Sequence, residues 1–337
     1  MSETLDYRTF DVEVRGGSLR AGEWSRRGAE GGQTVLAVHG VTSSHLAWPF
    51  VARQLLVPPA AGQGDSADDA EGPGSAPGVA RVVAPDLRGR GRSNSLPGPY
   101  GMAQHADDLA AVLRAAGADA DRPAVVVGHS MGAFASLVLA DRHAELVERL
   151  VLVDGGIPLA PPPGMSPEEA LQALLGPAAE RLRMEFASPE AYLDYWEPHP
   201  AFTGAWTPEF EEYIRYDLDG AAPRLRPATA LAALADDNAD LYGGASLLGA
   251  LDRLRVPTLL LRAERGLLGQ LPPLYPDEVM DRVREEHPAI EVRDVPGTNH
   301  YTIVMTADGA AAVARAVLAG GPLAAGTAAL RDSDTPG

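Results

Sequence analysis

A run of β-branched residues from Val125 to Val127 leads directly into Gly128-His129-Ser130-Met131-Gly132, and an apolar segment follows as far as Ala140. This pattern is typical of a buried strand, a sharp turn and a helix, with Ser130 at the apex of the turn. The flanking glycines let the strand and the helix approach closely. We expect a strained backbone at Ser130, because the turn aims its hydroxyl at a substrate. The alternative is a serine that only caps the helix.

Charge and missing residue types exclude several classes of function. The 337 residues include 28 basic and 46 acidic side chains, and the formal net charge of -18 argues against nucleic acid and anionic membranes as partners. All of the basic residues are arginines and the chain has no cysteine. Schiff-base chemistry, a P-loop lysine, thiolate catalysis and disulfides are therefore excluded. Without a recognisable secretory or membrane-spanning segment, we expect a cytoplasmic protein.

Apolar runs that alternate with helical segments predict an α/β fold, in which a mostly parallel twisted sheet of about eight strands is flanked by helices. An opening hairpin is expected from the alternating residues Tyr7 to Val14 and Ser18 to Trp24, which Gly16-Gly17 separates. The later predicted strands are 34–38, 81–84, 124–127, 150–153, 258–261 and 290–295. The apolar runs 34–38 and 150–153 are typical of strands buried in a parallel sheet.

The chain is expected to divide into a core and three further segments. Residues 1–156 and 251–320 form the predicted core. Residues 157–250 form a predicted helical cap after the sixth strand, because roughly 100 residues separate two strands that a crossover of about 30 could join. The stretch 58–78, rich in Ala, Gly and Pro, is expected to be a disordered surface insertion. The segment 321–337 is expected to be a flexible tail.

Ten of the nineteen aromatic residues fall in the predicted cap. These rings could form the roof of a pocket, or they could be the core of the cap itself. We expect most of them to be core and a minority to face a substrate. The predicted substrate contacts are His39, Gly40, Trp196, Trp206 and Tyr301.

One acidic segment of the cap imitates a metal site. Asp236, Asn238 and Asp240 have the spacing that begins a calcium loop. Leu241 stands where that loop needs a glycine, and Leu247 stands where it needs a bidentate glutamate. The sequence therefore predicts no metal here, and no cofactor elsewhere.

A serine hydroxyl is a weak nucleophile, so Ser130 needs a nearby base that a carboxylate orients. His300 is the best candidate among the eight histidines, because it follows a strand at the edge where parallel sheets place their ligands. A histidine in a loop is more often simply solvated. The chain order of serine, acid and histidine favours the catalytic interpretation.

Two carboxylates could orient this base. Asp154 ends the strand that follows the elbow helix, whereas Glu264 ends the strand before the last one. We prefer Asp154, because Gly155-Gly156 would let the loop bring its carboxylate beneath the imidazole. Glu264 is the alternative, and its neighbour Arg265 could engage it in an ion pair.

The chain resembles the α/β-hydrolase superfamily at points spread over residues 34–300. The matching features are His39-Gly40 after the third strand, the loop Asp86 to Ser93, the elbow Gly128 to Gly132, the cap insertion and Asn299-His300. The resemblance implies an oxyanion hole formed by the amides of Val41 and Met131. A serine nucleophile speaks against the haloalkane dehalogenase and epoxide hydrolase branches, which use aspartate.

The resemblance also bears on the acid. In most relatives the acid follows the penultimate strand in a Gly-x-x-Asp pattern, and this chain has Gly266 at the expected aspartate. A subset of the superfamily carries its acid after the preceding strand instead, which supports Asp154.

These observations favour three possible functions. The first is a serine hydrolase that cleaves a small-molecule ester through an acyl-enzyme, as carboxylesterases and lipases do. The second is cleavage of a carbon-carbon or amide bond by the same residues. The third is a ligand-binding protein on a hydrolase scaffold, which the missing acid at Gly266 suggests. The expected partner is a small molecule, without nucleic acid or membrane, and the chain is expected to be a monomer or homodimer.

Overall fold

The computed structural model describes residues 5–27, 31–57, 78–161, 164–238 and 240–319. The disordered insertion predicted at 58–78, apart from Gly78, and the tail predicted at 321–337 lie outside the described residues.

Within the described part of the chain there are ten β-strands and eleven α-helices. The strands are β1 (Asp6–Val14), β2 (Gly17–Ser25), β3 (Gln33–Val38), β4 (Val79–Pro85), β5 (Ala124–His129), β6 (Val147–Val153), β7 (Leu218–Ala221), β8 (Arg224–Pro227), β9 (Thr258–Arg265) and β10 (Ile290–Asn299). The helices are α1 (Pro49–Leu56), α2 (Met102–Ala115), α3 (Met131–Arg142), α4 (Pro167–Arg181), α5 (Pro189–Trp196), α6 (Pro208–Tyr216), α7 (Leu231–Asn238), α8 (Ala245–Asp252), α9 (Asp277–Glu286), α10 (Thr302–Met305) and α11 (Ala307–Leu318).

Eight of the strands form one sheet in the order β1-β2-β4-β3-β5-β6-β9-β10. The opening hairpin of β1 and β2 is antiparallel and joins β4 antiparallel, whereas every later pairing in this sheet is parallel. The predicted α/β fold with a mostly parallel sheet of about eight strands is therefore confirmed.

Helices cover both faces of the central strands β3, β4, β5 and β6, which is why these strands are buried at successive positions. Along β5, Val125 and Val127 belong to a buried cluster with residues of α1, α10 and α11. Val126, between them, belongs to a second cluster that includes residues of α2, α3 and α8. The alternation of side chains along the strand thus supplies two separate cores.

The sixth strand is followed by a helical insertion, residues 154–257, which contains α4 to α8 and the antiparallel hairpin of β7 and β8. Prolines begin several of its helices. At α5 and α6 the proline follows an N-cap residue, and the Ser188 and Thr207 side chains each accept a backbone amide of the first turn. The exact division into a core and a cap at 157–250 stays a prediction.

The ends of β5, β6 and β10 meet at one edge of the sheet, because these strands run parallel within it. Ser130, Asp154 and His300 each directly follow one of these strands. No helix in the described ranges is long and apolar enough to cross a bilayer.

Candidate active site

Ser130 lies between the end of β5 and the beginning of α3. Its backbone has φ 53° and ψ −128°, in the positive-φ region that residues with a side chain rarely adopt. The Ser130 amide donates to the carbonyl of Val153 at 2.9 Å, and the Ser130 carbonyl accepts from Ala133 at 2.9 Å. The neighbouring strand and the first turn of the helix therefore hold the strained residue in place.

Glycines make this turn possible because backbone passes them at close range. A Cβ on Gly132 would lie 2.2 Å from the carbonyl oxygen of Val38, and a Cβ on Gly155 would lie 2.2 Å from that of Ser130. Both separations are below any real contact of a Cβ atom. A side chain at either position would push Ser130 out of its place.

The structure brings Ser130, His300 and Asp154 together in one hydrogen-bonded chain. His300 Nε2 lies 3.0 Å from Ser130 Oγ, and His300 Nδ1 lies 2.6 Å from Asp154 Oδ2. Because a carboxylate only accepts, Nδ1 donates to Asp154 and Nε2 is left to accept the hydroxyl proton. Asp154 Oδ1 also accepts the amide of Ala263 at 3.1 Å, and its side chain has no exposed surface.

Glu264, the alternative acid, lies elsewhere. Its side chain is 43% exposed, with one oxygen 3.7 Å from Arg265 and the other accepting the amide of Gly297 at 2.7 Å. His300 makes its carboxylate contact with Asp154 instead.

Val41 and Met131, whose amides the resemblance assigns to an oxyanion hole, both line the cavity into which Ser130 opens. Neither amide has a hydrogen-bond acceptor among the described residues, so both are available to an oxygen of a ligand. The buried guanidinium of Arg90 lies behind them. Its Nε donates to the carbonyl of Val41 at 2.9 Å, and its Nη2 lies 3.6 Å from the sulfur of Met131.

This cavity has a volume of about 310 Å³. Gly40, Trp196 and Tyr301 line it, as predicted, but His39 and Trp206 do not. His39 is completely buried beneath the loop, where Nδ1 donates to the carbonyl of Gly40 at 2.8 Å and Nε2 accepts the amide of Leu87 at 2.9 Å. Burial lowers the pKa of His39 to about 3, so the ring is neutral.

Trp206 is turned away from the cavity by its own contacts. Its indole nitrogen donates to Glu211 at 3.0 Å, and its ring packs edge-on against Phe210 at a centroid distance of 5.0 Å. Three of the ten aromatic residues of the predicted cap line the cavity, namely Tyr195, Trp196 and Tyr213.

His129, the neighbour of the nucleophile, contacts the backbone of His300. Its Nε2 donates to the backbone carbonyl of His300 at 2.6 Å, and the two rings are 4.8 Å apart. Burial, and then the neighbouring His300, lower the pKa of His129, so its ring is neutral. His129 therefore supports the loop that carries His300, a role that its position beside Ser130 could have suggested.

The arginines of the loop 86–93 pair with aspartates of two helices and not with Asp86. Arg88 pairs with Asp108 of α2 at 2.8 Å, and Arg90 pairs with Asp237 of α7 at 2.5 Å. All four side chains are buried. The loop thus joins the edge of the sheet to two helices rather than folding on itself.

A model of the alpha/beta hydrolase family matches residues 35–316. The chain belongs to the alpha/beta hydrolase family. The match extends from β3 to α11 and includes the elbow, the insertion and the loop of His300.

Named relatives within the family differ in the substrates that their names imply. The chain is 32% identical over 195 residues to the lipase LipV of Mycobacterium tuberculosis, an alignment covering 58% of this chain and 59% of that protein. It is 29% identical over 225 residues to 2-(acetamidomethylene)succinate hydrolase of Mesorhizobium japonicum, covering 65% and 72%. The crystal structure of an E-2-(acetamidomethylene)succinate hydrolase, 22% identical, matches 94% of this chain and all of that chain with a TM-score of 0.68. The comparisons support a hydrolase without choosing between an ester and an amide bond.

Proposed function

We propose that this protein is a serine hydrolase that cleaves a small-molecule carboxylic ester and that Ser130 is its nucleophile. The observation that carries the proposal is the hydrogen-bonded chain from Ser130 through His300 to Asp154, which opens into a cavity of about 310 Å³. A hydroxyl, a neutral imidazole and a buried carboxylate in this order are the parts that acyl transfer needs.

In the proposed reaction, His300 Nε2 takes the proton of the Ser130 hydroxyl as Oγ attacks the ester carbonyl. Asp154 keeps the imidazole in the required tautomer and stabilises the imidazolium that forms. The imidazolium then protonates the departing alcohol, which leaves an acyl-enzyme on Ser130. A water molecule, deprotonated by His300, releases the acid and restores the serine.

The oxyanion of each tetrahedral intermediate is assigned to the amides of Val41 and Met131. The support is that both amides lie at the cavity and have no acceptor among the described residues. Losing one such donor typically costs about 2.7 to 4 kcal/mol of transition-state stabilisation. Arg90 contacts both residues and so would hold this site in shape.

Amide hydrolysis is the second candidate. One observation favours it, because a relative that is 29% identical is named for an acetamidomethylene substrate. The same nucleophile and base would serve, but the leaving nitrogen must be protonated before it departs. The ester is preferred because, of these two relatives, the one with the higher identity is named a lipase.

A binding protein without turnover is less well supported. The sequence feature behind this interpretation is Gly266, which stands where most of the superfamily has its acid. Asp154, which follows β6 and not the penultimate strand β9, contacts His300. A serine, a histidine and a carboxylate are therefore all present.

Hydrolysis of para-nitrophenyl butyrate and of butyryl para-nitroanilide by the wild type and by Ser130→Ala tests this proposal. We expect ester cleavage to exceed amide cleavage and the Ser130→Ala variant to lose at least about 10³-fold in kcat. Ser95→Ala, which changes an exposed serine, is the matched control. Ester hydrolysis that persists in the Ser130→Ala variant would overturn the proposal, and faster cleavage of the anilide would favour the amide.

A further inference from the structure

A buried arginine faces the cavity that contains Ser130. Arg181 is the last residue of α4, and only 3% of its surface is exposed. It lines the cavity together with the nucleophile. Among the described residues of that lining it is the one arginine, and the chain contains no lysine. A permanent positive charge is therefore held at this wall.

Among the described residues, Nη1 is the one nitrogen of this guanidinium with hydrogen-bond acceptors. Nη1 donates to Asp217 Oδ2 at 2.8 Å and also to the hydroxyl of Tyr192. Nε and Nη2 have no acceptor among the described residues. A guanidinium offers five donors in a planar fork, so the donors of Nε and Nη2 remain available to a ligand.

The orientation of the group is fixed by an aromatic ring. Arg181 Cζ lies 5.0 Å from the centroid of Trp196, which also lines the cavity. This cation–π contact and the bonds to Asp217 and Tyr192 hold the guanidinium from two directions. Little side-chain entropy would be lost when a ligand binds to it.

Asp217 pairs with Nη1 from outside the described lining of the cavity, and no unbonded carboxylate of that lining competes for Nε and Nη2. Asp154 is the one carboxylate in the described lining, and both of its oxygens are already bonded, to His300 and to the amide of Ala263. The charge of Arg181 also reaches His199 in the same lining. Burial, and then Arg181, lower the pKa of His199, which keeps that ring neutral.

We propose, on the basis of the function proposed above, that the ester substrate carries a carboxylate and that Arg181 binds it through Nε and Nη2. Two parallel N–H···O bonds match the two oxygens of a carboxylate, a geometry that lysine cannot offer. One guanidinium in a cavity of about 310 Å³ suits a small ester with a single negative charge. Arg181 is then a specificity-determining residue of the active site.

The test compares two matched pairs of esters. Mono-para-nitrophenyl adipate against para-nitrophenyl hexanoate places the carboxylate on the acyl side. Para-acetoxybenzoate against para-cresyl acetate places it on the alcohol side. The variant is Arg181→Gln combined with Asp217→Asn, which removes both charges of the buried pair and leaves no unpaired carboxylate. We expect the ratio of kcat/KM for the charged to the neutral ester to fall at least tenfold for one of the pairs.

The matched control is the double variant Arg215→Gln with Glu190→Gln, which removes an exposed ion pair of the same insertion. Its ratios are expected to stay within twofold of the wild type. If both ratios of the Arg181 variant also stay within twofold while neutral esters are cleaved through Ser130, the carboxylate proposal is overturned and the serine hydrolase stands.

A binding measurement separates this inference from the proposed function. Calorimetry on the Ser130→Ala variant, with adipate and with neutral adipamide, requires no turnover. We expect adipate to bind at least tenfold more tightly than adipamide, and the additional Arg181→Gln and Asp217→Asn changes to abolish this difference. If the wild type cleaves no ester, this binding result decides the proposal, and equal binding of the two compounds overturns it.

Discussion

Asp237 of α7 and Arg90 of the core loop form an ion pair with no exposed surface, in which Oδ2 lies 2.5 Å from Nη1. Asp237 also accepts the amide of Gly101 at 2.6 Å and lies 3.0 Å from His105 Nε2. Arg90 in turn donates to the carbonyl of Val41. A carboxylate of the insertion is thus linked through one side chain to the loop assigned to the oxyanion hole.

Breaking this pair is expected to destabilise the protein strongly. Asp237→Asn leaves the Arg90 charge buried without its partner, and the free energy of unfolding should fall by about 3 to 5 kcal/mol. Urea unfolding measures this change. The control is Asp281→Asn, whose ion pair with Arg284 is exposed and should contribute less than about 1 kcal/mol. Equal losses of unfolding free energy in the two variants would contradict the prediction that the buried ion pair stabilises the protein more than the exposed one.

The choice of acid predicts an asymmetry between two conservative substitutions. Asp154→Asn should lower kcat by about 10³ to 10⁴-fold, because an amide does not hold the imidazole in the tautomer that accepts the serine proton. Glu264→Gln should change kcat less than about threefold, since that side chain is exposed and contacts Gly297. Steady-state kinetics on variants with native circular dichroism provide the comparison, and the reverse ranking would refute the assignment.

The close packing around the elbow predicts the effect of one added methyl group. Gly155→Ala places a Cβ where only 2.2 Å separates it from the Ser130 carbonyl, so the nucleophile must shift. A displacement of about 1 Å can lower kcat/KM on the order of 10²-fold. Gly78→Ala is the control, because a Cβ there meets no atom within 4 Å. Undiminished ester hydrolysis by Gly155→Ala would contradict the described geometry.

The buried neutral state of His39 predicts a pH dependence of stability. Burial lowers its pKa to about 3, below the value of about 6.5 in the unfolded chain, and Nε2 already accepts the amide of Leu87. As the pH falls below 6.5, the His39 imidazole is protonated in the unfolded chain but stays neutral in the folded protein. His39 alone should lower the free energy of unfolding by about 2 kcal/mol between pH 7 and pH 5. Urea unfolding of His39→Gln should show a loss smaller by that amount, and an unchanged loss would contradict the prediction.

Much of the fold could be predicted from the sequence, because local patterns determine it. The β-branched run before Ser130 indicates a doubly covered strand, and the glycines around that residue indicate a tight turn. His300 and Asp154 could be proposed because residues that follow parallel strands meet at one edge. These inferences need only periodicity, chain order and the geometry of a sheet.

The remaining features depend on how distant segments pack together. His39 follows the strand β3 as expected, but its ring is bonded beneath the loop and not exposed to the cavity. Trp206 is aromatic and in the insertion, yet Glu211 and Phe210 turn it away. The orientation of Arg181 toward the cavity follows from the packing of α4, for which its local sequence gives no signal.

The central claim is that Ser130 is a nucleophile activated by His300, and covalent labelling tests it most directly. The folded wild type is treated with a fluorophosphonate, and intact-mass spectrometry with peptide mapping locates the adduct. The account predicts one adduct per chain, on Ser130, that forms much more slowly in His300→Ala and is absent in Ser130→Ala. A folded wild type that forms no adduct, or forms it at another residue, would contradict the account.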